Sequence, residues 1–249
     1  MENHSVTADL TNWLGQFQRD CDAAIADLTQ VCSAAAQTAT YQQQIESYRF
    51  GIAHIVLPET DKLSEVAPER ASRSCFLNVI GKYVGFLDKL IASQRLQHVN
   101  IERDICSMEE LQAFLNECYE RETAKVARDT SLSNPKKIDC FPKASDYARD
   151  TSKAYFQLRR ALEHHNDVPD SDLVIPALRI GFIAGHEEVK VLGVALPKGM
   201  GLSVKTFDAN LRLVKGQKIA LTPQDAYNLV FTMRMILAPE IFRSHVETP

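Results

Sequence analysis

The chain has 249 residues, of which 45% are hydrophobic and 24% are charged, as in an ordinary globular protein. Its formal net charge of −4 argues against a nucleic-acid footprint over the whole surface, so any such contact must be local. The first residues contain no basic start and no apolar run, and no stretch approaches about 18 apolar residues. We therefore expect neither a signal peptide nor a membrane span.

The six cysteines form no CxxC pair, so the spacing of a zinc ribbon is absent. Several of them fall at apolar positions of helical patterns, where a thiol behaves as a small hydrophobic side chain. We expect reduced thiols in a cytoplasmic protein, with no metal and no other cofactor.

Apolar residues spaced three and four apart predict helices in the first two-thirds of the chain. The helix at residues 8–36 has a narrow apolar seam, which favours packing within its own domain over a contact between chains. A second helical stretch covers about 41–56, and residues 57–69 are predicted to form a polar connection. The helix at about 69–97 has a wide apolar stripe, which is typical of a central core helix.

Capping residues mark the next two helices. Residues 107–110 have the spacing of a capping box and predict a helix that runs to the following loop. Residues 129–144 are rich in turn-forming residues and predict either a plain surface loop or a mobile, substrate-facing segment. Ser145 or Asp146 then caps a helix that must end before Pro169.

Beyond Pro176 the apolar residues alternate, which predicts short strands. Residues 222–225 (TPQD) supply an N-cap and a first-turn proline for a closing helix that ends near Leu237 or continues past Pro239 to His245. The predicted class is mainly α, with a small antiparallel β-meander inserted before the last helix. The predicted strands cover 178–182, 189–191, 202–207, 210–214 and 217–221. We predict a single domain, 1–249, with N-terminal helices (1–68), core helices (69–168), the β-meander (177–221) and the closing helix (222–249).

The segment from Arg159 to His165 places two arginines and two histidines within seven residues, at the end of a predicted helix. An arginine presents a fixed fork of donors to phosphate oxygens, and a histidine moves protons near neutral pH. Together these groups suit RNA cleavage without a metal. The alternative is a solvated basic helix face, because histidine is also favoured near a helix C-terminus.

The surrounding sequence is locally basic, with seven basic and three acidic residues between Lys136 and Arg160. Such a segment suits contact with an RNA phosphate backbone. The residues predicted to bind RNA are Lys136, Lys137, Lys143, Arg149 and Lys153.

Arg159 and His164 match the Arg-x4–6-His motif of the HEPN superfamily, and the helical N-terminal two-thirds of the chain resembles that family's bundle. The resemblance implies a metal-independent endoribonuclease of the toxin–antitoxin or antiviral-defence type. It implies RNA as the substrate, Arg159 and His164 as the catalytic residues, a homodimer that brings two motifs together, and an antitoxin or defence-system partner protein.

One departure from the family pattern and the acidic net charge favour an alternative, a catalytically inactive HEPN-like binding, scaffold or regulatory subunit. Arg160 stands where the family commonly has a small polar residue, and with His165 it forms an overlapping match to the motif. Glu163, just before His164, is placed to pair with an arginine and quiet the site. The β-meander would be an insertion into the family's minimal bundle. A third possibility is a helical oligomerisation protein built on the seam at residues 10–35.

Overall fold

The computed structural model describes residues 4–47, 60–96, 107–184, 189–191, 194–196 and 202–246. The described chain is mainly helical, with a small antiparallel β element before the closing helix, which confirms the predicted class. The helices are α1 (His4–Ser47), α2 (Thr60–Leu96), α3 (Met108–Arg128), α4 (Asn134–Asp139), α5 (Asp146–His164), α6 (Pro223–Thr232) and α7 (Ala238–Val246), with a π-helical segment (Met233–Leu237) between the last two. The strands are β1 (Leu173–Ile175), β2 (Leu178–Ala184), β3 (Val189–Val191), β4 (Val194–Leu196), β5 (Leu202–Asp208) and β6 (Leu211–Leu213).

Helix α2 lies at the centre of the protein and contacts α1, α3, α4, α5, α6 and α7. Residues three and four apart share one face of a helix, and on α2 such a row is buried. Burial of each large apolar side chain contributes about 1.5–3 kcal/mol to folding. The buried row comprises Cys75, Phe76, Val79, Ile80, Tyr83, Phe86, Leu87, Leu90 and Ile91. The predicted central core helix is thereby confirmed.

The apolar seam of α1 packs within the same chain. Phe17, Cys21, Ala24 and Leu28 are buried in the core cluster that includes the row on α2. For this part of the seam, packing within its own domain is confirmed.

The boundaries of the first two helices differ from the predicted ones. Helix α1 is continuous to Ser47, without the predicted break before residue 41, and the remainder of the predicted 41–56 stretch lies outside the described residues. Helix α2 begins at Thr60 and contains Pro68, where a polar connection was predicted. The residues there do not show apolar side chains at helical spacing. The helix nevertheless extends through them, because an established helix gains one backbone hydrogen bond for each residue added.

The predicted caps are confirmed at three helix starts. The Ser107 hydroxyl accepts a hydrogen bond from the backbone N–H of Glu110 at 3.1 Å. Ser145 caps α5 in the same way. Thr222 and Asp225 form a reciprocal capping box at the start of α6. Each cap satisfies a backbone N–H that the helix itself leaves without a partner.

The segment at 129–144 is not the loop that the sequence predicted. It contains the short helix α4, and Ile138, Phe141 and Ala144 are buried in the core. These apolar residues are three apart, but turn-forming residues between them obscured the pattern. The segment is therefore a packed part of the domain.

The strands pair in nested order, since β1 pairs with β6, β2 with β5 and β3 with β4, all antiparallel. A meander would pair consecutive strands instead. Leu173 lies opposite Leu213, so the base of the nested pairs joins residues forty positions apart. The predicted strand at 217–221 does not form, and β1 was not predicted. The backbone N–H of Leu178 donates to the hydroxyl of Thr232 at 2.8 Å, which ties β2 to α6.

The closing helix continues past Pro239 to Val246, which confirms the longer of its two predicted extents. Pro239 has no backbone N–H to donate, and the wider π-helical turn lies directly before it. Beyond this turn His245 is buried on the core side. Its Nε2 lies 2.9 Å from the hydroxyl oxygen of Ser93 on α2, and its ring meets Phe141 edge-on.

Burial lowers the pKa of His245 from its usual value of 6.5, because a charged imidazole is poorly solvated there. The unfolded chain therefore takes up a proton at higher pH than the folded one. We expect the free energy of unfolding to be fully maintained above pH 6.5 and to fall as the pH drops below it, at most about 1.4 kcal/mol per pH unit from this group. Denaturant unfolding at pH 7.5 and 5.5, with the native chain and His245→Gln, measures this. An equal loss in both proteins would contradict it.

Candidate active site at the end of helix α5

Helix α5 presents two different faces at its C-terminal end. Tyr155, Leu158 and Leu162, three and four apart, are buried in the core. Arg160 and His164 lie on the opposite, exposed face. Amphipathic packing thus fixes which of the predicted site residues can meet solvent.

Arg159 and His164 both face one carboxylate oxygen. The Nε of Arg159 donates to Oε2 of Glu163 at 2.9 Å, and Nε2 of His164 lies 3.8 Å from the same oxygen. The side chains of Arg159, Glu163 and His164 are 25%, 31% and 70% exposed. The prediction that Glu163 pairs with an arginine is confirmed. The structure therefore brings the two predicted catalytic residues to a single anionic oxygen.

His165 belongs to the turn that follows α5 and has different partners from those of His164. Its Nδ1 lies 3.4 Å from a carboxylate oxygen of Asp170, and its side chain is partly buried. Its backbone N–H donates to Ala161, and its carbonyl accepts from Val168. Arg160, by contrast, forms no ion pair with any described side chain. The histidine exposed beside the Arg159–Glu163 pair is His164.

The turn itself is held by contacts that the sequence did not reveal. Asn166 and Asp167 have φ values of 52° and 64°, a left-handed conformation that is uncommon for residues other than glycine. The Nη2 of Arg73 donates to the carbonyl of Leu162 and lies 3.0 Å from Oδ1 of Asp167. The backbone N–H of Ile219 donates to the carbonyl of Asp167 at 2.6 Å. The side chain of Arg73 and the backbone N–H of Ile219 together hold the turn in which α5 ends.

The basic residues predicted to bind RNA have local partners. Arg149 pairs with Asp146, and Nζ of Lys153 lies 2.6 Å from Asp139. Lys136 is exposed and donates to the carbonyl of Ser131, and Lys143 is exposed. Asp139 and Asp146 therefore neutralise part of the positive charge of this segment.

The prediction that Lys137 binds RNA is wrong. Lys137 and Asp88 are 4% and 5% exposed, and Nζ of the lysine lies 2.5 Å from Oδ1 of the aspartate. This ion pair joins α4 to α2 inside the core. A buried ammonium that is committed to a carboxylate cannot reach a phosphate at the surface.

The residues that the structure describes contain no group of three or more His, Cys, Asp or Glu side chains that could hold a metal ion. Within the same ranges, no helix has both the length and the apolar character needed to cross a membrane.

No protein-family model, curated protein or solved structure matches this chain. The resemblance to the HEPN superfamily therefore rests on the spacing of Arg159 and His164 and on their place at the end of a helix.

Breaking the buried Asp88–Lys137 pair should strongly destabilise the protein. Lys137→Met leaves the Asp88 carboxylate buried without its partner, and we expect a loss of about 3–5 kcal/mol in the free energy of unfolding. The double variant Asp88→Leu/Lys137→Met removes both charges and should be close to the native chain in stability. Chemical denaturation of the three proteins measures both effects. If the single variant matches the native chain, the pair has no such role.

Proposed function

We propose that the protein is a metal-independent endoribonuclease of the toxin or antiviral-defence type, which cleaves RNA with Arg159 and His164 of two protomers in a homodimer. The observation that carries the proposal is the shared oxygen, Oε2 of Glu163. It is an anionic oxygen held next to a guanidinium and an imidazole, as a phosphate oxygen of RNA would be. Arginine suits this role because its donors match phosphate geometry.

The chemistry follows from the two groups. His164 accepts the proton of the RNA 2′-hydroxyl, whose oxygen attacks the neighbouring phosphorus. Arg159 stabilises the negative charge that develops on the pentacoordinate phosphate. The bond from phosphorus to the 5′-oxygen breaks, and a second copy of His164 gives its proton to that oxygen. The products are a 2′,3′-cyclic phosphate and a 5′-hydroxyl.

The exposure of His164 is the reason for proposing a dimer. A side chain that is 70% exposed faces water, whereas charge stabilisation is most effective where water is excluded. A second copy of the site, packed across the first, would cover both and supply the second histidine. We propose that an antitoxin or another defence protein is the regulatory partner. The described cysteines are free thiols, which supports a cytoplasmic location.

A second candidate, a catalytically inactive HEPN-like binding or regulatory subunit, is favoured by the ion pair itself. Glu163 offsets the charge of Arg159 within one protomer, and Asp146 and Asp139 do the same for Arg149 and Lys153. In this candidate the carboxylate of Glu163 stays in place, and Arg159 never reaches a phosphate.

Replacing His164 should abolish most of the cleavage. We expect His164→Ala to lower the rate about 10²–10⁴-fold, since general acid–base catalysis contributes that much. The measurement is cleavage of a labelled single-stranded RNA in EDTA, with detection of cyclic phosphate ends. The matched control is His165→Ala, which we expect to retain cleavage if circular dichroism shows it folded.

Equal cleavage by the native chain and His164→Ala, or cleavage that requires a metal, would overturn the proposal. Saturable RNA binding without cleavage by the native chain would favour the inactive subunit instead.

Removing the carboxylate from the site should strengthen RNA binding. Glu163→Gln keeps the shape but removes the charge that competes with a phosphate for Arg159. A partly exposed ion pair is worth up to about 1 kcal/mol, so we expect up to about fivefold tighter binding. The matched control is Glu240→Gln, because Glu240 also pairs with an arginine one helical turn away, at 3.0 Å. Fluorescence anisotropy of a labelled RNA at fixed salt measures the RNA affinity of the native chain and of both variants. An equal gain in both variants would show only the change in net charge.

A further inference from the structure

A separate pocket of about 320 Å³ lies beside the turn that follows α5. Its walls come from three parts of the chain, namely residues 66–73 of α2, Leu162 and Asp167 around the turn, and residues 218–221 before α6. None of these residues belongs to the Arg159–His164 pair, so the pocket is separate from the candidate active site.

The walls are joined to one another by specific bonds. Arg73 of α2 donates to the carbonyl of Leu162 and pairs with Asp167, and Ile219 donates to the carbonyl of Asp167. Asp167 has a left-handed backbone conformation at the point where these contacts meet. Aspartate adopts this conformation more readily than most residues, and here the bonds of Arg73 and Ile219 hold it. The walls of the pocket are therefore bonded to one another.

Positive charge exceeds negative charge in the lining. Arg70, Arg73 and Lys218 contribute three cationic groups, against the carboxylates of Glu69 and Asp167. Asp167 is already committed to Arg73. Across the side chains that the structure describes, no carboxylate forms a salt bridge with Arg70 or Lys218. The Nε of Arg73 is also buried with no hydrogen-bond partner in those ranges, and so is Oδ1 of Asp167, which forms the salt bridge with Nη2 of Arg73. The lining thus offers donors to an anion.

The rest of the lining is apolar. Leu162, Ile219 and Leu221 are buried, and Val66 lies at the rim. Ligand pockets commonly combine such a surface with a few polar groups, and about 300 Å³ is the lower end of their size range. We propose that this pocket binds a small organic anion with an apolar body, and that Arg70 and Lys218 contact its charged group.

The test uses the native chain and the fluorescent probe 8-anilinonaphthalene-1-sulfonate, an anion with an aromatic body. We expect saturable binding to the folded protein, and binding at least tenfold weaker to the double variant Arg70→Gln/Lys218→Gln. Val66→Glu, which adds a carboxylate at the rim, should weaken binding as well. The matched control is Lys82→Gln/Arg128→Gln, which removes two exposed cations elsewhere and should bind like the native chain. Circular dichroism verifies that all variants are folded.

A neutral probe with the same rings, N-phenyl-1-naphthylamine, should bind at least tenfold more weakly than the sulfonate. Displacement of the sulfonate by phenyl phosphate or by benzoate would support the proposal, and the stronger competitor identifies the charged group. The proposal is overturned if the sulfonate does not saturate, if the pocket and control variants bind it equally, or if neither competitor displaces it.

Discussion

Burial of one face of α2 is the constraint on which the rest of the structure depends. The buried row on this helix sets its rotation, and that rotation fixes where the polar residues of the same helix can lie. Three of these polar residues each contact a different element of the fold. Arg73 holds the turn after α5, Asp88 holds α4 through Lys137, and Ser93 meets His245 of α7. Burial of this one apolar face thus positions three polar contacts in the core and at its edge.

The candidate active site depends on this arrangement indirectly, through helix α5. Helix α5 buries Leu158 and Leu162, and Arg73 ties the carbonyl of Leu162 to Asp167 in the following turn. Arg159 and His164 therefore lie on a rigid helix end. In the proposed mechanism, a phosphate oxygen takes the place of Oε2 of Glu163 beside Arg159 and His164. The energy that opposes the exchange is small, because the ion pair is partly exposed to water.

The parts of the structure that were predictable from the sequence depend on neighbours in the chain. The helix caps at Ser107, Ser145 and Thr222 are hydrogen bonds between residues three positions apart, and Glu163 pairs with an arginine four positions away. Among the features that were missed, three join distant residues. Leu173 meets Leu213, Lys137 meets Asp88, and Arg73 meets Asp167. No local spacing encodes such pairs, because each depends on how complete elements pack. A charge count likewise treated Lys137 as a surface residue.

The π-helical segment has a consequence for the length of the chain. A regular helix turns by about 100° for each residue, and a π-helical turn accommodates one residue more than a regular one. The segment therefore holds one residue more than a regular helix with the same number of turns. A related chain that lacked one residue between Met233 and Leu237 could form a regular turn in its place. Its last two turns would keep their direction, and the histidine that meets Ser93 would still face α2. A deletion after this turn would instead rotate the following residues by about 100°.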